Sequence, residues 1–119
     1  MRLTRALLLV GLLLYGVWLW SKTGAYASGS DPSGYLNFAR LLLAGQWNCP
    51  QPSPLPPIPD LSEAATIPLG FRPMPGQHMA PTYPIGLPLL LALGQLITGP
   101  ATGPHLVMWL HALAGLALT

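Results

Sequence analysis

Asp31 is the residue best placed to do chemistry. The chain holds three acidic residues, Asp31, Asp60 and Glu63, and only Asp31 follows closely on the first long apolar run. A carboxylate at the mouth of a membrane-facing vestibule can take the proton of a substrate hydroxyl as a general base. With Pro32 behind it, Asp31 also suits a helix start, as the cap residue ahead of a proline at the first helical position. The two roles are compatible. Tyr35 and Tyr83 carry rings able to stack on a sugar, and interfacial anchoring accounts for such rings equally well. The guanidinium forks of Arg40 and Arg72 match lipid phosphate. Standing outside any positive cluster, they also read as solubilising residues at an interface. His78, His105 and His111 are too scattered for a metal site, with the last two on different faces of one helix. No metal or other cofactor is expected. Cys49 is the single cysteine, which excludes an internal disulfide and leaves an incidental loop thiol. Asp60 and Glu63 stand in a proline-rich context that favours a solvated loop.

These side chains need elements to hold them, and the composition says what kind. Of the 119 residues, 51% are hydrophobic and 7% charged, too few charges to clothe a water-soluble surface. From Pro73 to Thr119 there is no Asp, Glu, Lys or Arg. The remaining basic residues form no cluster that would neutralise phosphates in series, so nucleic acid is excluded as a partner. Residues 1–22 read as a first transmembrane helix: Ala6 to Trp20 is unbroken apolar sequence between Arg5 and Lys22, with Tyr15, Trp18 and Trp20 gathered where headgroups would lie. Arg2 and Arg5 outweigh Lys22, which puts the N-terminus in the cytoplasm and the next loop outside. A basic start, an apolar stretch and Ala25-Tyr26-Ala27 also describe a cleavable signal peptide. Either way the loop is exported.

That loop spans residues 23–83. Within it an amphipathic helix over 31–45 places Tyr35, Leu36, Ala39, Leu42 and Leu43 on one side and Ser33, Asn37, Arg40 and Ala44 on the other, and Gly45 stops it. Residues 50–59 are proline-rich and extended, and 60–84 stay irregular. A second transmembrane helix is expected over 84–99, then a tight turn through two Gly-Pro pairs. A third begins at 104 and reaches 119 in mid-pattern, so the chain is expected to continue. The fold class is an all-α membrane protein: three hydrophobic helices, the last truncated, plus the amphipathic helix in a long exported loop.

The stretch Gly29-Ser30-Asp31-Pro32-Ser33-Gly34-Tyr35-Leu36-Asn37-Phe38-Ala39-Arg40-Leu41-Leu42-Leu43-Ala44-Gly45 resembles the first exported loop of bacterial polytopic membrane glycosyltransferases of the protein mannosyltransferase and aminoarabinose transferase type. Asp31, Tyr35, Ala39 and Gly45 fall where those enzymes have an acid, a tyrosine, an alanine and a helix-ending glycine. Pro81-Thr82-Tyr83-Pro84-Ile85-Gly86-Leu87-Pro88 is similar to the approach to their second span. Where such enzymes often carry a second acid beside the first, this chain has Pro32. The resemblance implies a sugar donor on a polyprenyl phosphate, bound from the outer leaflet of the plasma (inner) membrane. It gives Asp31 the role of activating the acceptor or stabilising developing oxocarbenium charge.

The expected function is thus the N-terminal part of a multi-pass glycosyltransferase moving a sugar from a lipid-linked donor to an extracytoplasmic acceptor. Asp31 would be catalytic, and Tyr35, Arg40, Arg72 and Tyr83 would bind substrate. The alternative is a small non-enzymatic membrane anchor or assembly protein whose proline-rich loop contacts an exported partner. A secreted or surface-tethered protein left after signal cleavage is the third reading.

Overall fold

The computed structural model describes residues 2–24, 27, 29–52 and 63–118. The proline-rich stretch over 53–59, Asp60, and Ala25-Tyr26 of the small-x-small motif lie outside the described residues.

Helix α1 runs from Arg2 to Lys22. At 1.5 Å per residue it is about 31 Å long, matching a hydrocarbon core of about 30 Å. It is the one described helix long and apolar enough to cross a membrane. Among the described residues Gly16 is its only buried one, and Leu3, Leu8, Leu13 and Val17 are more than 60% exposed, an apolar surface that no described residue covers. At its last turn the Ser21 hydroxyl donates to the Trp18 carbonyl at 2.7 Å and Thr23 Oγ1 to the Leu19 carbonyl at 3.1 Å. These bonds satisfy acceptors that a helix end leaves open.

Helix α2 covers Ser30–Leu43, close to the expected bounds. Its start differs from the expectation. The cap position is Gly29, with φ of 100° and no side-chain cap bond, and Asp31 lies inside the first turn. There its negative charge still complements the helix dipole, while its oxygens are released for another partner. The end is a Schellman motif: Gln46 N–H donates to the Leu41 carbonyl and Gly45 N–H to the Leu42 carbonyl, with Gly45 at φ 69°. Ala39, fully buried, packs with Leu91 and Ala92 of the next helix, and Tyr35, Leu36 and Leu42 surround them.

The all-α expectation is corrected in the loop. Strands β1 (Cys49–Pro50), β2 (Phe71–Met74) and β3 (His78–Pro81) form an antiparallel sheet in the order β1-β3-β2, with Cys49 opposite Met79 and Arg72 opposite Ala80. Prolines did not prevent this because Pro50 and Pro73 lie on the outer strands and Pro81 at a strand end, where a missing donor can be accommodated. The hairpin turns through Gly76 (φ 77°) and Gln77 (φ 57°). Met79 and Ala80 of the central strand are buried, and β3 touches α2. Gln51 ties the sheet to the far side of the proline-rich stretch: its N–H donates to the Gln77 carbonyl at 2.8 Å and its amide to Thr66 Oγ1 at 2.6 Å.

Helices α3 (Gly86–Thr98) and α4 (Thr102–Ala117) follow. At 13 and 16 residues they are shorter than the roughly 17 that span a bilayer, so among the described residues α1 alone is of membrane length. The second Gly-Pro pair does not extend the turn; Gly103 and Pro104 sit in the first turn of α4, where proline costs little. Gly94 and Gly103 bring the two helices together: a Cβ on Gly103 would run into the backbone of Gly94 and Gln95. Helix α4 runs antiparallel to the end of α1, with Trp109 Nε1 donating to the Gly16 carbonyl at 2.8 Å and His105 beside Thr23.

Candidate functional site

The first-turn position of Asp31 faces it toward the chain that leaves the sheet. Tyr83 donates its hydroxyl to Asp31 Oδ1 at 2.6 Å. Ser30 Oγ donates to the same oxygen at 3.3 Å, and among the described residues nothing bonds Oδ2. One oxygen is thus held in place while the other is presented outward.

Tyr83 can reach because its ring occupies a slot between two glycines. A Cβ on Gly34 of α2 would overlap the ring, and one on Gly70, which has φ of 89°, would lie 2.8 Å from Tyr83 Cε2. Thr82 fixes the approach by donating both its N–H (3.0 Å) and its hydroxyl (3.2 Å) to the Gly70 carbonyl. Pro84 restricts Tyr83 itself to extended backbone. The ring also lies 4.4 Å from that of Tyr35, tilted by 35°. The bond to Asp31 pushes the Tyr83 hydroxyl up to about 12 from 10.0, with burial and the charges of Asp31 and Tyr35 adding to it. Around neutrality Tyr83 is therefore a proton donor to the carboxylate.

Asp31 and Tyr35 line a cavity of about 410 Å³ between the C-terminal end of α1 and helices α2, α3 and α4. Its walls are mainly apolar, from Leu36, Leu87, Leu91 and Met108, and its other titratable group is His105. The His105 ring packs on Trp20 at 4.0 Å, and Nε2 lies 2.6 Å from Thr23 Oγ1. If Thr23 gives its single proton to the Leu19 carbonyl, its oxygen accepts from Nε2–H, the tautomer that leaves Nδ1 as an acceptor.

The predicted residues divide into groups. Asp31, Tyr35 and Tyr83 come together. Arg72 lies in β2 and lines a second cavity of about 270 Å³, which Tyr83 also borders. Arg40 lines neither cavity and donates to Asn37 Oδ1 at 3.0 Å, one turn back on α2. The other histidines stand apart, His78 against the Gly76 carbonyl and His111 against that of Val107, and no three metal-ligating side chains cluster among the described residues.

His105, Thr23, Gly34 and Gly70 are the members that sequence reasoning missed. Gly34 carried a signal: a glycine inside a helix costs roughly 0.5–1 kcal/mol against alanine, which asks for a reason. Compared with known proteins, the chain matches no family model, no curated protein and no solved structure.

Proposed function

We propose that this chain carries the donor cavity and the acceptor-activating acid of a membrane glycosyltransferase that uses a polyprenyl-phosphate-linked sugar. The observation that carries the reading is Asp31 at the edge of an apolar cavity, with Oδ1 fixed by Tyr83 and Oδ2 without a partner among the described residues. An apolar cavity at the outer end of a membrane-length helix suits the first isoprene units of such a donor, with His105 and Thr23 at its edge able to donate hydrogen bonds to the phosphate. Asp31 Oδ2 takes the proton of the acceptor hydroxyl as that oxygen bonds the anomeric carbon. The bond from that carbon to the phosphate oxygen breaks, and the lipid phosphate leaves with the electron pair. Tyr83 and Ser30 hold the carboxylate in the orientation this transfer needs.

The topology belongs to the same reading. Arg2 and Arg5 hold the N-terminus in the cytoplasm, α1 leads out, and the loop with its sheet and α2 lies on the extracytoplasmic face. Helix α4 returns along the end of α1, the packing that a second pass of the chain through the membrane would use.

Transfer from a radiolabelled polyprenyl-phosphate sugar in proteoliposomes tests the assignment. Asp31→Asn keeps the size and the Tyr83 bond but removes the base, and transfer should fall by at least about 100-fold with membrane insertion unchanged. Retained transfer removes Asp31 from the chemistry. No transfer by the unaltered protein with any such donor favours the anchor reading.

A further inference from the structure

A polyprenyl-phosphate sugar is a phosphodiester with one negative charge. In the apolar cavity it would sit beside Asp31, which must be ionised to act as a base, and like charges repel most where water is scarce. A cation is needed there, and the cavity lining holds neither Lys nor Arg. His105 is the one lining residue that can become positive. We propose that His105 is a proton-tuned seat for the lipid phosphate: the cavity takes an anionic amphiphile when this imidazole is charged and releases it when the ring is neutral. The inference rests on the glycosyl-transfer reading above and adds the regulation of donor binding.

The ring is held in a way that suits such a switch. Trp20 packs on it at 4.0 Å, and Nε2 lies 2.6 Å from Thr23 Oγ1. With Nε2–H donated to Thr23, Nδ1 of the neutral ring offers only a lone pair, and a phosphodiester has no proton to give it. Charging the ring puts a proton on Nδ1 and keeps the Thr23 bond, so one nitrogen turns from acceptor to donor while the ring stays in place. An indole face attracts a cation within about 6 Å, which keeps the charged ring in the same seat. The imidazolium then offsets Asp31 and donates a charge-assisted bond to a phosphate oxygen.

The other ionisable groups near the ring do not substitute for it. From α2, Asp31 and Tyr35 share the cavity and neither can be a cation, while Tyr83 is engaged by Asp31. Helix α3 has no ionisable side chain. Lys22, next to Thr23, stays outside the lining, as does His111 of α4, whose Nδ1 faces the Val107 carbonyl. Imidazole is the side chain whose charge ordinarily changes between about pH 5 and 8, so donor affinity falls as pH rises across that interval.

The test reads binding without turnover. The full chain in phosphatidylcholine nanodiscs is titrated by calorimetry with methyl dodecyl phosphate, a phosphodiester amphiphile whose charge does not change over this interval, and empty nanodiscs are subtracted. Binding at least about tenfold tighter near pH 5.5 than near pH 8 is expected, the worth of one charge-assisted contact. Dodecanol should show no such dependence. Dimethyl phosphate, the same head without a chain, should bind at least about 100-fold more weakly, because it leaves the apolar walls unused. His105→Gln should hold affinity at the high-pH value throughout. His105→Lys should hold it near the low-pH value, which also guards against a misfolded Gln variant. Asp31→Asn should tighten binding near pH 8 and keep the pH dependence.

Equal affinity at both pH values, a dependence that survives His105→Gln, or the same dependence with dodecanol overturns the proposal. Dimethyl phosphate binding as tightly as the amphiphile overturns the lipid class and leaves a phosphate site. If transfer needs Asp31 but phosphodiester binding ignores pH, the glycosyl-transfer reading stands and this inference falls. If binding follows His105 but no donor is ever turned over, the anionic-lipid site stands and the transfer reading falls.

Discussion

Asp31 and Tyr83 lie 52 positions apart in the chain and share one short hydrogen bond. That bond has a titration signature. The Tyr83 hydroxyl is pushed up to about 12 from 10.0, so the protonated form is favoured in the folded protein. Its contribution to stability is therefore present below about pH 10 and is lost as pH rises through about 12. In an absorbance titration of tyrosinate, one tyrosine should ionise near pH 12, and Asp31→Ala should return it toward 10.0 by removing both the acceptor and the charge. A late-titrating tyrosine that persists in that variant would mean the shift has another origin. At this scale the residue types were legible: an acid after the first span and tyrosines at 35 and 83 are visible in the sequence. Their union was not, because it depends on a sheet that turns the chain back and on two glycines far apart that open a slot for one ring. Arg40 shows the converse, a plausible phosphate ligand by type that the helix turns away from both cavities.

Among the elements, the α3–α4 crossing carries the sharpest packing requirement. Gly103 meets the backbone of the facing helix, whereas a Cβ on Gly115 of the same helix would meet nothing within 4 Å. Gly103→Ala should destabilise the detergent-solubilised protein by about 1–3 kcal/mol, and Gly115→Ala should be neutral or stabilising by up to about 1 kcal/mol. Thermal unfolding followed by circular dichroism distinguishes them, and equal effects would mean that the crossing is not close. The four helices were readable from apolar periodicity and from stop signals such as Gly45, to within a few residues. The sheet was not, since proline at 73, 75, 81 and 84 masks the alternation that marks a strand, and only the pairing shows that these prolines lie on outer strands, at strand ends or in turns. The cap was misread for a related reason: Asp-Pro is a good helix start, but Asp31 engages a distant hydroxyl instead of its own backbone. The α3–α4 contact point has no local signal at all; it is set by Gly94 facing Gly103.

For the whole molecule, the question is which side of the membrane the site faces. Cys49 answers it, because it is the single cysteine and lies half-buried in β1 beside the second cavity's Asn48. On the proposed topology a membrane-impermeant maleimide should label it in intact cells. Burial raises the thiol above its ordinary 9.0, so labelling should be slow near neutrality and quicken as pH rises. Labelling that needs cell lysis would place the loop inside and remove the extracytoplasmic reading. The same preparation reports on the signal-peptide alternative, since its mass includes or lacks α1. Retention is expected, because Gly16 and Trp20 of α1, with Thr23 just beyond it, are partners of Trp109 and His105 in α4. The bonds made by Gln51 reach further than the sheet they close. By joining the strand end to Thr66 and Gln77, they fasten both ends of the stretch over 53–62 to one point. Gln51→Ala should therefore loosen the sheet and the turn around Thr66 together, because one side chain and its own N–H serve both.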